Sequence, residues 1–403
     1  MRIPERLLSL LVLAFSLCAL LVPSRTLSQV DDLEREFLQG AKQMEKEYRD
    51  FEKAAFEEYE RGVRAMWNDF VTSTQKDWVE YSTDKTGRSM VDFEKGEVVV
   101  QVLVPEEEAK RNPNEVKEKL AKEIERLAVD HGKMRDYPLP QEALRDEPTP
   151  SPSAGGEIPS PPLLSYPVLE NQLSDRKGNP VTEKNNKQFA QEVLSAEPVS
   201  KEEIQSEKGK MVKAQVRFAL IPNHLRIRAE KHLSRVRKNS GRFDVEIPLA
   251  FAVIHTESYF NPKATSPVPA YGLMQLVPKS GGLDAYRFVH GVNKVPSADY
   301  LYDPDNNVEL GIAYLRLLRE NYFSGVKDPQ NALYCAIAAY NTGPGNLSSA
   351  FTGDKKLAPA IERINRLKPD ELFSHLRGHL PYPETRDYLK RVSERMSLYE
   401  EWR

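Results

Sequence analysis

Apolar positions along this chain fall into three successive rhythms. Between Asp31 and Phe70 they recur by threes and fours, at Leu33, Phe37, Ala41, Met44, Tyr48, Phe51 and Ala55. That spacing lines one face of a helix. Acidic residues outnumber basic ones there by 12 to 7. The stripe mixes aromatics with alanines, so the helix reads as packed on its own domain rather than as half of a coiled coil. A period of two follows. Arg88 to Phe93, the Lys95-Gly96 turn and the valine-rich Glu97 to Val104 predict a hairpin. Asn114 to His131 returns to helical spacing, with Val116, Leu120, Ile124 and Leu127 on one face. Met211 to Ile221 alternates Val212, Ala214, Val216, Phe218 and Leu220 with Lys213, Gln215 and Arg217, a half-buried strand that can join the hairpin.

After the third rhythm begins, strand signals vanish. Helical stretches are expected at Val245 to Ser258, Asn307 to Tyr322, Asn331 to Tyr340, Pro359 to Arg366 and Glu384 to Tyr399, punctuated by Gly and Pro. The change of style falls at residues 223 to 236. The expected architecture is an α+β domain over 29–235, with long helices and a small antiparallel sheet, followed by an all-α domain over 236–403. Pro138 to Pro167 interrupts the first domain. Nine of its 30 residues are proline, and so polar a segment reads as a disordered insertion.

Composition adds a compartment. Arg2 and Arg6 precede the apolar run Leu7 to Val22, and Pro23 ends it. That order predicts an export signal over 1–28, with Thr26 and Ser28 as the small residues of a cleavage site; an uncleaved anchor is the alternative. Leu17 before Cys18 is too bulky for lipid processing, so no lipid anchor is expected at Cys18. The expected location is the periplasm, free or loosely attached to the outer membrane. Without the leader, Cys335 is the only cysteine left and no intrachain disulfide is available. A net charge of −3 gives no pull toward nucleic acid, and no nucleic-acid partner is expected.

Candidate chemistry centres on Glu257. Leu249 to Ile254 is continuously apolar, and Glu257 follows at i+4 from Val253 and i+3 from Ile254, on a core-facing side near the helix end forced by Asn261-Pro262. Burial and the negative end of a helix both disfavour the carboxylate, which raises the pKa as a general acid requires. Downstream come Glu257-Ser258, Asn261-Pro262, Ser266-Pro267, Gly272-Leu273-Met274-Gln275, Ala339-Tyr340-Asn341 with Gly343, and Pro383-Glu384-Thr385-Arg386 with Tyr388.

This ordered set resembles the family-1 lytic transglycosylases, relatives of goose-type lysozyme. The likeness extends into the first domain, through the helix before Asp77-Trp78-Val79, the Phe93-Glu94-Lys95-Gly96 turn and Arg226 to Lys231. The resemblance implies a lysozyme-like catalytic domain, peptidoglycan glycan strands as the binding partner, and Glu257 as the sole catalytic carboxylate. It implies substrate contacts from Ser258, Ser266, Gly272, Met274, Gln275, Tyr340, Asn341 and Tyr388, with core packing as the alternative for Leu273, Met274 and the tyrosines. It further implies cleavage between N-acetylmuramic acid and N-acetylglucosamine with formation of a 1,6-anhydromuramyl end. No cofactor or metal is expected: His375 and His379 have i,i+4 spacing but no third ligand. Two other readings compete. A hydrolytic muramidase needs a second carboxylate, for which Asp284, Asp299, Asp303 and Asp305 are candidates. A non-catalytic peptidoglycan-binding scaffold has no need of Glu257. The first domain is the expected contact for the cell wall or an envelope protein.

Overall fold

A computed structural model of the protein describes residues 27–137, 139–140, 157–158 and 160–403. The expected leader up to residue 26, with Cys18, and residues 141–156 of the expected insertion lie outside the described residues. Two compact units form. The smaller gathers the described residues up to Glu58 and those between Tyr137 and Pro159; the larger joins Tyr59–Asp136 to Ser160–Arg403. In the smaller lie most of helix α1 (Leu27–Trp67) and a short ribbon in which Leu139 pairs with Ile158.

The larger unit begins with the end of α1, where Asn68 turns left-handed at φ 62°. Then come β1 (Asp77–Tyr81), β2 (Gly87–Asp92), β3 (Glu97–Pro105), α2 (Glu106–Arg111) and α3 (Glu115–Ala128). After the ribbon strands, β4 (Leu139–Pro140) and β5 (Glu157–Ile158), follow α4 (Asn186–Ala196), β6 (Ser200–Ser206) and β7 (Gly209–Ala219). The sheet is antiparallel throughout, in the order β1-β2-β3-β7-β6. Seven consecutive residues of β3 are buried, because it is the central strand and is covered on both faces. Its register sets Val98 opposite Phe218, Val100 opposite Val216 and Val102 opposite Ala214. Helix α3 buries Val116, Leu120, Ile124 and Leu127, the face its spacing predicts.

The expected insertion needs correction over 160–167. Leu163 and Leu164 are buried in the sheet-side core, and their amides bond to the carbonyls of Gly132 and His131, each at 3.1 Å. Two leucines and a backbone ladder outweigh the proline content, which tolerates extended chain.

From residue 224 the chain is helical: α5 (His224–Lys231), α6 (Leu233–Phe243), α7 (Ile247–Ser258), α8 (Gly281–His290), α9 (Ala298–Tyr302), α10 (Pro304–Leu317), α11 (Pro329–Thr342), α12 (Pro344–Thr352), α13 (Leu357–Ile364), α14 (Pro369–His379) and α15 (Pro383–Arg395). Their hydrophobic cluster runs from Ala229 to Trp402 and is separate from the sheet-side cluster, Trp78 to Leu220. Between the two cores lies a buried ionic joint. Lys263 contacts Asp136 and lies 3.7 Å from Glu80, which Lys133 meets at 2.9 Å. The cations on either side hold Glu80 below the usual carboxylate range, against the opposing effect of burial.

Candidate active site

Helix α7 is buried on nearly every side, from Pro248 to His255, so its last turn carries Glu257 into the core. The carboxyl is only 7% exposed. Burial pushes its pKa up to about 8; the Tyr388 hydroxyl opposes this, the Glu384 charge adds to it, and Arg391 opposes it weakly. At neutral pH the group is therefore mostly the neutral acid.

Two tyrosines flank it. Tyr340, on α11, donates its hydroxyl to the Met274 carbonyl at 2.8 Å. Tyr388, on α15, is 2% exposed, and its hydroxyl makes no hydrogen bond of full geometry although it lies against the Glu257 carboxyl. Burial first, then the Glu257 charge, hold both phenols well above the ordinary tyrosine value. Thr385 ties the two helices together, donating to Asn341 Oδ1 at 2.7 Å. The cap after α11 is Gly343, at φ 83° and ψ 153°, a region open essentially to glycine alone.

The floor beside these groups is the turn at 272–275. Gly272 has φ 75°, and a Cβ there would lie 2.3 Å from the Leu301 carbonyl oxygen. Asn307, fully buried, holds the turn. It donates to the carbonyls of Tyr271 at 2.8 Å and Leu301 at 2.7 Å, and it accepts from the Met274 amide at 2.7 Å. Gln275 is strained at φ 46°. Its Nε2 donates to Ala264 and Gly272 carbonyls, while its buried Oε1 has no donor. That free acceptor is the one unpartnered buried side-chain polar atom on this turn.

Glu257, Tyr340, Tyr388, Asn341 and the 272–275 turn thus converge. Two expected substrate contacts are revised. Ser258 is fully buried and donates to the carbonyls of Leu273 at 2.7 Å and Ile254 at 3.0 Å, stapling α7 to the turn. The Met274 side chain is also fully buried and packs on α10 so closely that a Cβ on Gly311 would lie 2.2 Å from its sulfur. What Met274 presents to Tyr340 is its backbone carbonyl. Ser266 bonds to the Val268 carbonyl within its own loop.

The four aspartates considered as second carboxylates are engaged elsewhere. Asp284 accepts from Tyr322 at 2.9 Å, Asp299 from Arg135 at 2.7 Å and Asp305 from Arg235 at 2.9 Å, and Asp303 caps α10. The acidic residue whose charge reaches Glu257 is Glu384, exposed in the first turn of α15. Its signal was the Pro383-Glu384-Thr385-Arg386 motif itself, one helical turn before Tyr388. His375 and His379 stack at 4.2 Å, with His375 Nε2 on the Ala350 carbonyl and His379 Nδ1 on that of His375.

Residues 234–362 match the family model for the transglycosylase SLT domain. The membrane-bound lytic murein transglycosylase C of Glaesserella parasuis is 30% identical over 84% of this chain and 85% of its own length. That of Cronobacter sakazakii is 30% identical over 84% and 86%. Among solved structures, the 70 kDa soluble lytic transglycosylase of Escherichia coli aligns with 42% of this chain and 24% of its own, at 24% identity and a TM-score of 0.32. On the strength of 30% identity across most of both sequences, the chain belongs to the membrane-bound lytic murein transglycosylase C family.

Proposed function

We propose that this protein is a peptidoglycan lytic transglycosylase in which Glu257 acts first as general acid and then as general base. The observation that carries the reading is the buried Glu257 carboxyl, held protonated to about pH 8 and flanked by two buried phenols. In the first step the Glu257 proton passes to the glycosidic oxygen between N-acetylmuramic acid and N-acetylglucosamine as the C1–O bond breaks. The muramyl acetamide stabilises the cationic centre. The carboxylate then takes the proton of the C6 hydroxyl as its oxygen bonds to C1, which closes a 1,6-anhydro ring and restores the acid without consuming water. Tyr388 stabilises the transient carboxylate by donating to it, and Gln275 contributes to binding the sugar. Asn341 and Ser266 are proposed as outer contacts of the glycan.

The modular division near residues 223–236 is part of the proposal, with the sheet-bearing part as the contact for cell wall or an envelope protein, and so is a periplasmic location. No helix among the described residues is long and apolar enough to cross a membrane. The test is digestion of purified peptidoglycan in water enriched in heavy oxygen. Muropeptides should carry unlabelled anhydro ends, and Glu257→Gln should lower their release by about a thousandfold. Label at C1 would mean that water attacks, and would direct attention to Glu384 as the group activating it.

A further inference from the structure

The residues just past Glu257 are held from the sheet side. Tyr259 and Phe260 are consecutive non-glycine residues in left-handed conformation, at φ 50° and 62°. Such a pair persists only where its surroundings fix it. Tyr259 is gripped at both ends. Its carbonyl accepts from Arg228 Nε at 3.1 Å, and the rest of that buried guanidinium donates to the Phe93 carbonyl at 2.9 Å and Gln172 Oε1 at 2.7 Å. Its hydroxyl donates to Glu94 Oε1 at 2.7 Å, and Lys76 pairs with the other oxygen of that carboxylate. Glu94 lies in the β2–β3 turn, where Asp92 Oδ1 accepts from the amides of Glu94 and Lys95. Next, Asn261 is fully buried and donates to the carbonyls of Thr74 and Asp77, both at 3.1 Å.

A second set of bonds leads back to the site. Arg395 donates to the Tyr259 hydroxyl at 2.9 Å and to Thr256 Oγ1 at 3.1 Å, and its guanidinium lies 5.0 Å from the centre of the Tyr259 ring. Thr256 immediately precedes Glu257. Arg395 stands two helical turns beyond Tyr388 on α15, so one face of that helix touches both the Glu257 carboxyl and the Tyr259 hydroxyl. The phenol of Tyr259 is therefore the point where the sheet, α7 and α15 meet.

We infer that Tyr259 and Glu94 are positioning residues for the reaction: through Arg395, the sheet-side turn sets the last turn of α7 against α15 and so fixes the Glu257 carboxyl relative to Tyr388. This rests on the assignment of Glu257 as the acid. Neither residue touches substrate in this account, so they act on turnover and not on glycan binding.

The experiment uses the full chain on soluble glycan strands, with turnover, half-saturation and the pH profile measured for Tyr259→Phe, Glu94→Ala, Glu94→Gln and Glu257→Gln. Tyr259→Phe keeps the ring and removes only the linking hydroxyl. It should lower turnover about tenfold, as expected for a small misplacement of the acid, with half-saturation unchanged. Its alkaline limb should move to lower pH as the carboxyl becomes better solvated. Glu94→Ala should do the same, and Glu94→Gln, which retains an acceptor, should recover most of the turnover. Wild-type turnover and pH profile in Tyr259→Phe and Glu94→Ala, whatever their melting temperatures, would overturn the inference while an inactive Glu257→Gln left the acid assignment standing. A loss confined to half-saturation would equally overturn it, by making Tyr259 a substrate contact. An active Glu257→Gln would remove both together.

Discussion

Two of the buried glutamates in the larger unit meet opposite fates. Glu257 is 7% exposed and Glu80 is 1% exposed, so both lose nearly all their water. Yet Glu257 is pushed up to about 8, while Glu80 is held below the ordinary range. The difference lies in the company each keeps. Glu80 has Lys133 at 2.9 Å and Lys263 at 3.7 Å. Glu257 has phenols, the Glu384 charge and only a weak opposing effect from Arg391. Burial alone makes an acid; burial with paired cations makes a fixed anion. On the proposed reading the same chain uses the first for chemistry, and the second fastens two cores.

The contrast can be broken most severely at Lys263. Lys263→Met should leave the Glu80 and Asp136 carboxyls short of their shared cation and destabilise the protein by about 3–5 kcal/mol at neutral pH. Urea unfolding at pH 7 checks this, and a loss under about 1 kcal/mol would show that the joint is wetter than its geometry implies.

Removing the other carboxyl should have the opposite sign. Because the folded-state pKa of Glu257 lies above its unfolded value of 4.5, its contribution to stability is fully present below about pH 4.5 and is lost as pH rises to about 8. Glu257→Gln abolishes that loss. The variant should be more stable than the parent by on the order of 3 kcal/mol at pH 7, and by much less at pH 5. Glu80 works in reverse: its stabilisation is present above the unfolded value and is lost as pH falls through its lowered folded-state pKa. Melting curves of the parent and Glu257→Gln across pH 4 to 9 separate the two branches.

The smallest effect concerns Glu384. Its charge helps to keep Glu257 protonated, so Glu384→Gln should move the alkaline limb of the cleavage rate to lower pH. The move should be roughly a few tenths of a unit, since an exposed charge is screened. A limb that does not move would leave burial as the whole cause.

How much of this was legible beforehand depended on the range of the forces involved. Local periodicity located α3, the hairpin and the burial of α7, because a helix face and an alternating strand are written within a few turns of chain. The polar edge strand β6, Ser200–Ser206, was not readable: only its last residue is buried, and an edge strand bearing Lys and Glu has no apolar alternation to display. Leu163 and Leu164 were hidden by the prolines around them. The burial of Glu257 and of the two tyrosines was legible from helical phase. The Ser258 and Met274 side chains turn into the core, the alternative weighed for Met274 but not for Ser258. A motif of adjacent residues mixes backbone that serves the site with side chains that serve the core, and sequence does not say which atom faces where. The grip on Tyr259 by Arg228 and Glu94 joins positions separated by 31 and 165 residues, and no spacing rule reaches so far.

The contact between Met274 and Gly311 couples two positions in different elements. Glycine within α10 gives up about 1 kcal/mol of helix propensity relative to alanine, yet the Met274 sulfur and Cβ occupy the space where any side chain at 311 would begin. Neither position is free to drift alone. An alanine at 311 calls for a thinner residue at 274, and only the paired exchange would keep the depth at which the Met274 carbonyl meets Tyr340.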